Sequence, residues 1–196
     1  MTATAQHSLT SWLVLVYRLP ARSGMKTAIR RRLTAIGAVY PANAVAAMPS
    51  SPAAERVFRQ LRSMIDQAGG SAEVMRAEAI EGGPDLIAIF NAAREREYKE
   101  IIVACGDMIA AIKAMKAAGH FRYPDLGEKD AELKRLSIRI ETIRRRDTLG
   151  AAGAESARSA LATCRTVLDD FAGNVYRTDV VPITGVVPGP RSRRER

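Results

Sequence analysis

The sequence predicts an α+β protein: a small four-stranded antiparallel sheet with two helices on one face, then a long helix and an antiparallel helical hairpin. Three observations carry this. A continuous apolar stretch opens the chain, Gly and Pro punctuate the first 84 residues into short strand- and helix-sized pieces, and the apolar residues after Pro84 keep helical spacing.

Residues 1–10 are small and polar and read as a loose start. Trp12 to Leu19 is apolar apart from Arg18 and is stopped by Pro20. Large apolar residues fall on both alternate sets, Trp12, Val14, Val16 and Leu13, Leu15, Tyr17, so this strand should be covered on both faces and lie centrally in a sheet. Ser23-Gly24 offers a helix start, Ile29, Leu33 and Ile36 repeat at helical spacing, and Gly37 ends the run. The segment 38–49, with Pro41-Ala-Asn43 in its first half, reads as a hairpin of two short strands. Ser51-Pro52 is a cap followed by a first-turn proline, and the next helix should bury Val57, Leu61, Met64, Ile65 and Ala68 before Gly69-Gly70. Ser71 to Ile80 reads as the last strand, closed by Gly82-Gly83-Pro84. Strand, helix, strand, strand, helix, strand is the split βαβ, or ferredoxin-like, arrangement over residues 11–84.

The region 85–177 is expected to be helical. Leu86, Phe90, Ala93, Ile101, Cys105, Ile109 and Ile112 run along a long helix, broken by Gly119 and Tyr123-Pro124. Leu133, Leu136, Ile140 and Ile143 mark the next helix, and Ala157, Leu161, Cys164, Leu168, Phe171 and Val175 the last. A short Gly/Ala loop between two such seams predicts an antiparallel hairpin, with Leu161 and Leu168 buried against its partner or the long helix. Residues 178–196 read as an extended segment with a disordered arginine-rich tail.

At 47% hydrophobic and 26% charged residues, the composition is that of a globular protein. No apolar run approaches the roughly 20 residues a bilayer demands, and the segment before Trp12 lacks the basic and apolar regions of a secretory signal. Cys105 and Cys164 alone make no disulfide framework, so the cytoplasm is the expected location. The net charge of +9 is uneven: no acid precedes Glu55, while Arg18, Arg22, Lys26, Arg30, Arg31 and Arg32 all do. A concentrated positive field suits polyanions, although a plain solvated basic face would have the same composition.

The opening Ser11-Trp-Leu-Val-Leu-Val-Tyr-Arg-Leu-Pro20, the basic helix 28–40, Met48-Pro49 and the segment 68–75 resemble, in this order, the N-terminal domain of the ChrB chromate-resistance regulators. So do Glu132-Leu-Lys-Arg-Leu136, Ile143-Arg-Arg-Arg-Asp147 and the segment 160–168. The resemblance implies a DNA-binding transcriptional regulator, with chromate or another oxyanion as effector. Members of that family continue into a further C-terminal domain, which the resemblance, ending near residue 177, leads one to expect is absent here.

On that basis the DNA-binding candidates are Arg18, Arg22, Lys26, Arg30 and Arg31. Lys26 and Arg30 are four apart and share an exposed helix face, with Arg18 and Arg22 in the turn before it. Arg32, beside Leu33, ranks lower. Arg144, Arg145 and Arg146 at a helix end are expected to complement the helix dipole rather than contact DNA. Both cysteines sit on apolar faces and should pack as small hydrophobes. No metal, cofactor or catalytic residue is expected, since His7 and His120 have no partner at a useful spacing and no glycine-rich phosphate loop follows a strand. A metal-dependent nuclease on such a sheet would need a carboxylate where the first strand ends, but that strand ends Tyr17-Arg18-Leu19-Pro20. Exposed edge strands and paired half-sites predict a homodimer. The alternative is a non-catalytic interaction subunit that docks a partner through the helical hairpin.

Overall fold

The structure, a computed structural model, describes residues 10–20 and 24–179. Residues 1–9 of the expected loose start, the basic tail from residue 180 and Arg22 lie outside them, while Thr178 and Asp179, expected in the extended segment, belong to the last helix. The elements run β1 (Trp12–Arg18), α1 (Met25–Ala35), β2 (Val39–Ala42), β3 (Val45–Pro49), α2 (Pro52–Gln67), β4 (Ser71–Ala77), α3 (Gly83–Ala117), α4 (Tyr123–Arg146) and α5 (Gly153–Asp179). The sheet order is β2-β3-β1-β4 with every neighbouring pair antiparallel, which is the split βαβ connectivity.

β1 is central, as its two apolar sets require. Leu13 and Leu15 face α1 and α2 and pack with Ile29, Leu33, Phe58, Leu61 and Ile65. Trp12 faces the other side, where the Phe90 ring of α3 meets it edge-on with centroids 6.0 Å apart. Toward β4 that second face stays open, so Val16 and Met75 are exposed. The hairpin turns at Asn43-Ala44 rather than around Pro41, and Ala44 takes a positive φ of 59°. Pro41 sits inside β2, where an outer strand tolerates a missing N–H.

α2 starts as its residues dictate. The Ser51 side chain accepts a hydrogen bond from the Ala54 amide at 3.1 Å, Pro52 occupies the first turn and Glu55 lies near the helix's positive end. Its buried set is Ala54, Phe58, Leu61 and Ile65; Val57 and Met64 are half-buried. The face is therefore turned from the expected one, because the 4-3-4 series through Phe58 puts the largest side chain against the sheet.

The three long helices form an up-down-up bundle. The Arg139–Glu100 ion pair and the Tyr98–Asp147 hydrogen bond place α4 antiparallel to α3; Gly153 against Glu95 and Lys116 against Asp170 place α5 parallel to α3. Tyr123-Pro124, a break in the helical pattern, is also the start of α4. Leu133, Leu136, Ile140 and Ile143 are buried as expected, as are Ala157, Cys164, Leu168, Phe171 and Val175; Leu161 is half-buried. α5 packs most extensively on α3, so the hairpin's seam is closed by the long helix. Among the described residues no helix is long and apolar enough to cross a membrane.

Truncating Leu168 to alanine should cost on the order of 2–5 kcal/mol through lost burial and a residual cavity, read from the urea midpoint. An unchanged midpoint would contradict the bundle.

The bundle also predicts alkaline sensitivity. Burial, reinforced by the hydrogen bond to Asp147, pushes the Tyr98 hydroxyl from 10.0 up to about 12. Burial, with Cys105 beside it, pushes the Cys164 thiol from 9.0 to about 12. Below the lower of the ordinary values, folded and unfolded chains hold these protons alike and the contribution is fully present. As pH rises the unfolded chain releases them first, so urea midpoints should fall progressively between pH 9 and pH 12. Tyr98→Phe should flatten the upper part of that decline.

Candidate nucleic-acid interface

α1 buries Ile29 and Leu33 against the sheet, which turns Lys26, Arg30 and Arg31 outward. β1 ends beside it with Arg18. Arg18, Lys26 and Arg30 line one open cleft of about 820 Å³ together with Tyr17, Tyr40 and the β2–β3 turn, and among the described residues no carboxylate lines it. The Arg30 guanidinium lies 5.1 Å from the centre of the Tyr40 ring, and the Tyr40 hydroxyl donates to the Arg30 carbonyl at 3.3 Å. Burial pushes both the Tyr17 and Tyr40 hydroxyls above their ordinary range, with Arg30 opposing, so both are protonated at neutral pH. Arg31 opens on the adjoining groove along α1, shared with Lys26, Arg30 and Thr34. Arg22 lies outside the described residues.

None of Arg18, Lys26, Arg30 and Arg31 has a carboxylate partner among the described residues. On α2, β4 and at the start of α4, by contrast, Glu55 holds Arg59 and Arg76, Asp66 and Glu73 flank Arg62, and Asp125 holds Arg122. What sets α1 and β1 apart is that they carry cations and no acid of their own. Arg32, ranked lower from the sequence, turns toward α2, with its guanidinium nitrogens 3.4 Å from Met64 Sδ and Gln60 Oε1.

The second arginine cluster divides. Arg144 pairs with Glu141 on its own helix. Arg146 Nε donates to the Thr142 carbonyl at 3.2 Å, its Nη1 to the α1 carbonyls of Thr34 at 3.1 Å and Ala35 at 3.2 Å, and its Nη2 to Glu97 Oε1 at 3.0 Å. It therefore complements the negative end of its own helix, as expected, and that of α1 as well. Arg94, only 3% exposed, completes this junction by donating Nη1 to the Gly37 carbonyl at 3.1 Å. Its Nε stands 2.9 Å from Glu97 Oε2, a close ion pair without the alignment of a hydrogen bond. Burial pulls the Arg94 guanidinium below its ordinary value, with Glu97 opposing. Sequence reasoning missed Arg94; its one signal was a cation at the i+4 step between Phe90 and Tyr98 on the buried face.

The family model described as Protein ChrB, N-terminal, matches residues 26–181. The chain belongs to this family. At the level of the family it is a regulator associated with chromate resistance. No curated protein matches the chain. The match begins at Lys26 and takes in α1 with Arg30 and Arg31, while Arg18 precedes it.

Cys105 and Cys164 meet in the α3–α5 seam, both buried, with the Cys164 thiol 3.2 Å from the Cys105 carbonyl. Burial pushes both thiols upward, away from the thiolate form that reacts. Among the described residues no three or more His, Cys, Asp or Glu side chains group as metal ligands would.

Arg146→Ala should leave Glu97 and the end of α1 short of donors and cost about 1–3 kcal/mol, the worth of hydrogen bonds to charged groups. Urea denaturation checks this; a loss below about 0.5 kcal/mol, the level of an ordinary surface substitution, would show that the junction carries no stability.

Proposed function

We propose that this regulator binds duplex DNA through the basic cleft at the end of β1 and the outward face of α1. The observation that carries the reading is the convergence of Arg18, Lys26 and Arg30 on one cleft that, among the described residues, no carboxylate lines. Cations on neighbouring elements can each meet a phosphate, and the protonated Tyr17 hydroxyl can add a neutral donor. Arg31 extends the same surface along α1, and Arg22 belongs to the chain between Arg18 and Lys26. Such contacts fix register on the backbone and supply salt-dependent affinity.

The reading is that of a binding protein, not an enzyme, acting in the cytoplasm as a homodimer. β4 has a free outer edge among the described strands, and a two-fold pair would present two α1 surfaces to paired half-sites. Family membership supports chromate or a related oxyanion as the signal. The interaction-subunit reading is weaker, because the apolar seam it would offer to a partner is closed by α3.

The test is fluorescence anisotropy with duplex DNA from upstream of the gene, at graded salt. The logarithm of affinity should fall linearly with that of salt concentration, and Lys26→Ala with Arg30→Ala should reduce the slope by about 1 per lost contact. The fold should persist, since exposed charges contribute within about 0.5 kcal/mol. Neutralising Arg158 and Arg165 on α5 should leave binding intact. Loss of binding in that control, with normal binding by the Lys26/Arg30 variant, would move the interface to the helical bundle.

A further inference from the structure

A second cleft, of about 520 Å³, lies where α1 and β2 meet α3 and α4. Its size falls within the roughly 300–1,000 Å³ of small-molecule sites, which favour such junctions between structural units. An apolar patch on its floor is formed by Ile89, 40% exposed, and half-buried Ala93; Val39 and Ile143 also line the cleft but are buried. The two carboxylates along it are already engaged, Glu97 by Arg94 and Arg146 and Glu100 by Arg139. Two cations on its rim, Arg30 and Arg96, have no carboxylate partner among the described residues. An apolar floor under an unneutralised cationic rim matches a molecule that is both apolar and negatively charged.

We propose that this cleft binds a small organic anion with a flat apolar body, the body on Ile89 and Ala93 and the charge between Arg30 and Arg96. A bare inorganic oxyanion would leave the apolar floor uncovered. Arg30 also lines the basic cleft at β1, so an occupant drawing on its charge competes with DNA for it. That consequence rests on the DNA reading; occupancy of the cleft does not.

The experiment is isothermal titration calorimetry of the full chain with anilinonaphthalene sulfonate, an aromatic anion, in the absence of DNA. Saturable binding at one site is expected. Ile89→Glu, which sets a carboxylate on the floor, and Arg96→Ala, which removes a rim cation, should each weaken it about tenfold or more, a loss calorimetry resolves readily. Arg96 is exposed, so its variant keeps the test decisive if Ile89→Glu disturbs folding. Val103→Glu, 55% exposed on α3 outside the cleft, should bind as the parent does. Absence of saturable binding, normal binding by the Arg96 variant, an equal loss in the Val103 variant, or binding of inorganic phosphate in place of the aromatic anion would each overturn the proposal. Because no DNA is present, failure of the DNA reading leaves this result standing. Anisotropy with the aromatic anion added then reads the competition separately.

Discussion

The arrangement of the whole molecule turns on a charged junction at the end of α1. Arg94 and Arg146 share Glu97, and their remaining donors reach the Thr34 and Ala35 carbonyls at the end of α1 and the Gly37 carbonyl just past it. Gly37 is required there twice over. Its φ of 88° favours glycine, and a Cβ would stand 2.5 Å from the Arg94 guanidinium and 3.1 Å from the Arg146 side chain. Arg94 is buried and Glu97 and Arg146 are half-buried, so removing one partner leaves a poorly solvated charge without compensation, and α1, α3 and α4 hold one another in place.

The length of α3 follows from a double task. Its first turns cover the sheet face behind Trp12, where Phe90, Leu86 and Ile87 pack, and the rest supplies the spine against which α4 and α5 close. Its buried residues keep one stripe, Phe90, Arg94, Tyr98, Ile101, Cys105, Met108 and Ile112, and what changes along it is the partner, from sheet to helices. Arg94 falls at that change of partner, where the Gly37 carbonyl just past α1 accepts a hydrogen bond from its Nη1.

The same packing positions the basic surface. Ile29 and Leu33 must face the sheet, so Lys26, Arg30 and Arg31 cannot. β1 must be central, so its end brings Arg18 to the α1 side of the hairpin turn. The junction at Gly37 holds the far end of α1, which gives the cations a rigid support instead of a free helix. Arg30 stands where the basic cleft and the cleft against α3 adjoin, with Tyr40 lining both.

Much of this was legible in the residues alone. Two-sided apolar alternation from Trp12 to Tyr17 determined a central strand, Ser51-Pro52 determined where α2 begins, and the steps through Leu133 and Leu168 determined the buried faces of α4 and α5. The absence of any acid before Glu55 marked the basic surface, because charge asymmetry is a property of composition and needs no fold to be seen. Contacts between residues far apart in sequence were decided only by the tertiary structure. Nothing local tells that Arg146 reaches the end of α1 rather than water, that Arg94 is buried, that the hairpin's seam is closed by α3, or that Phe58 leads its helix face. Helical spacing states which residues share a side and not what covers that side; the covering surface comes from another part of the chain.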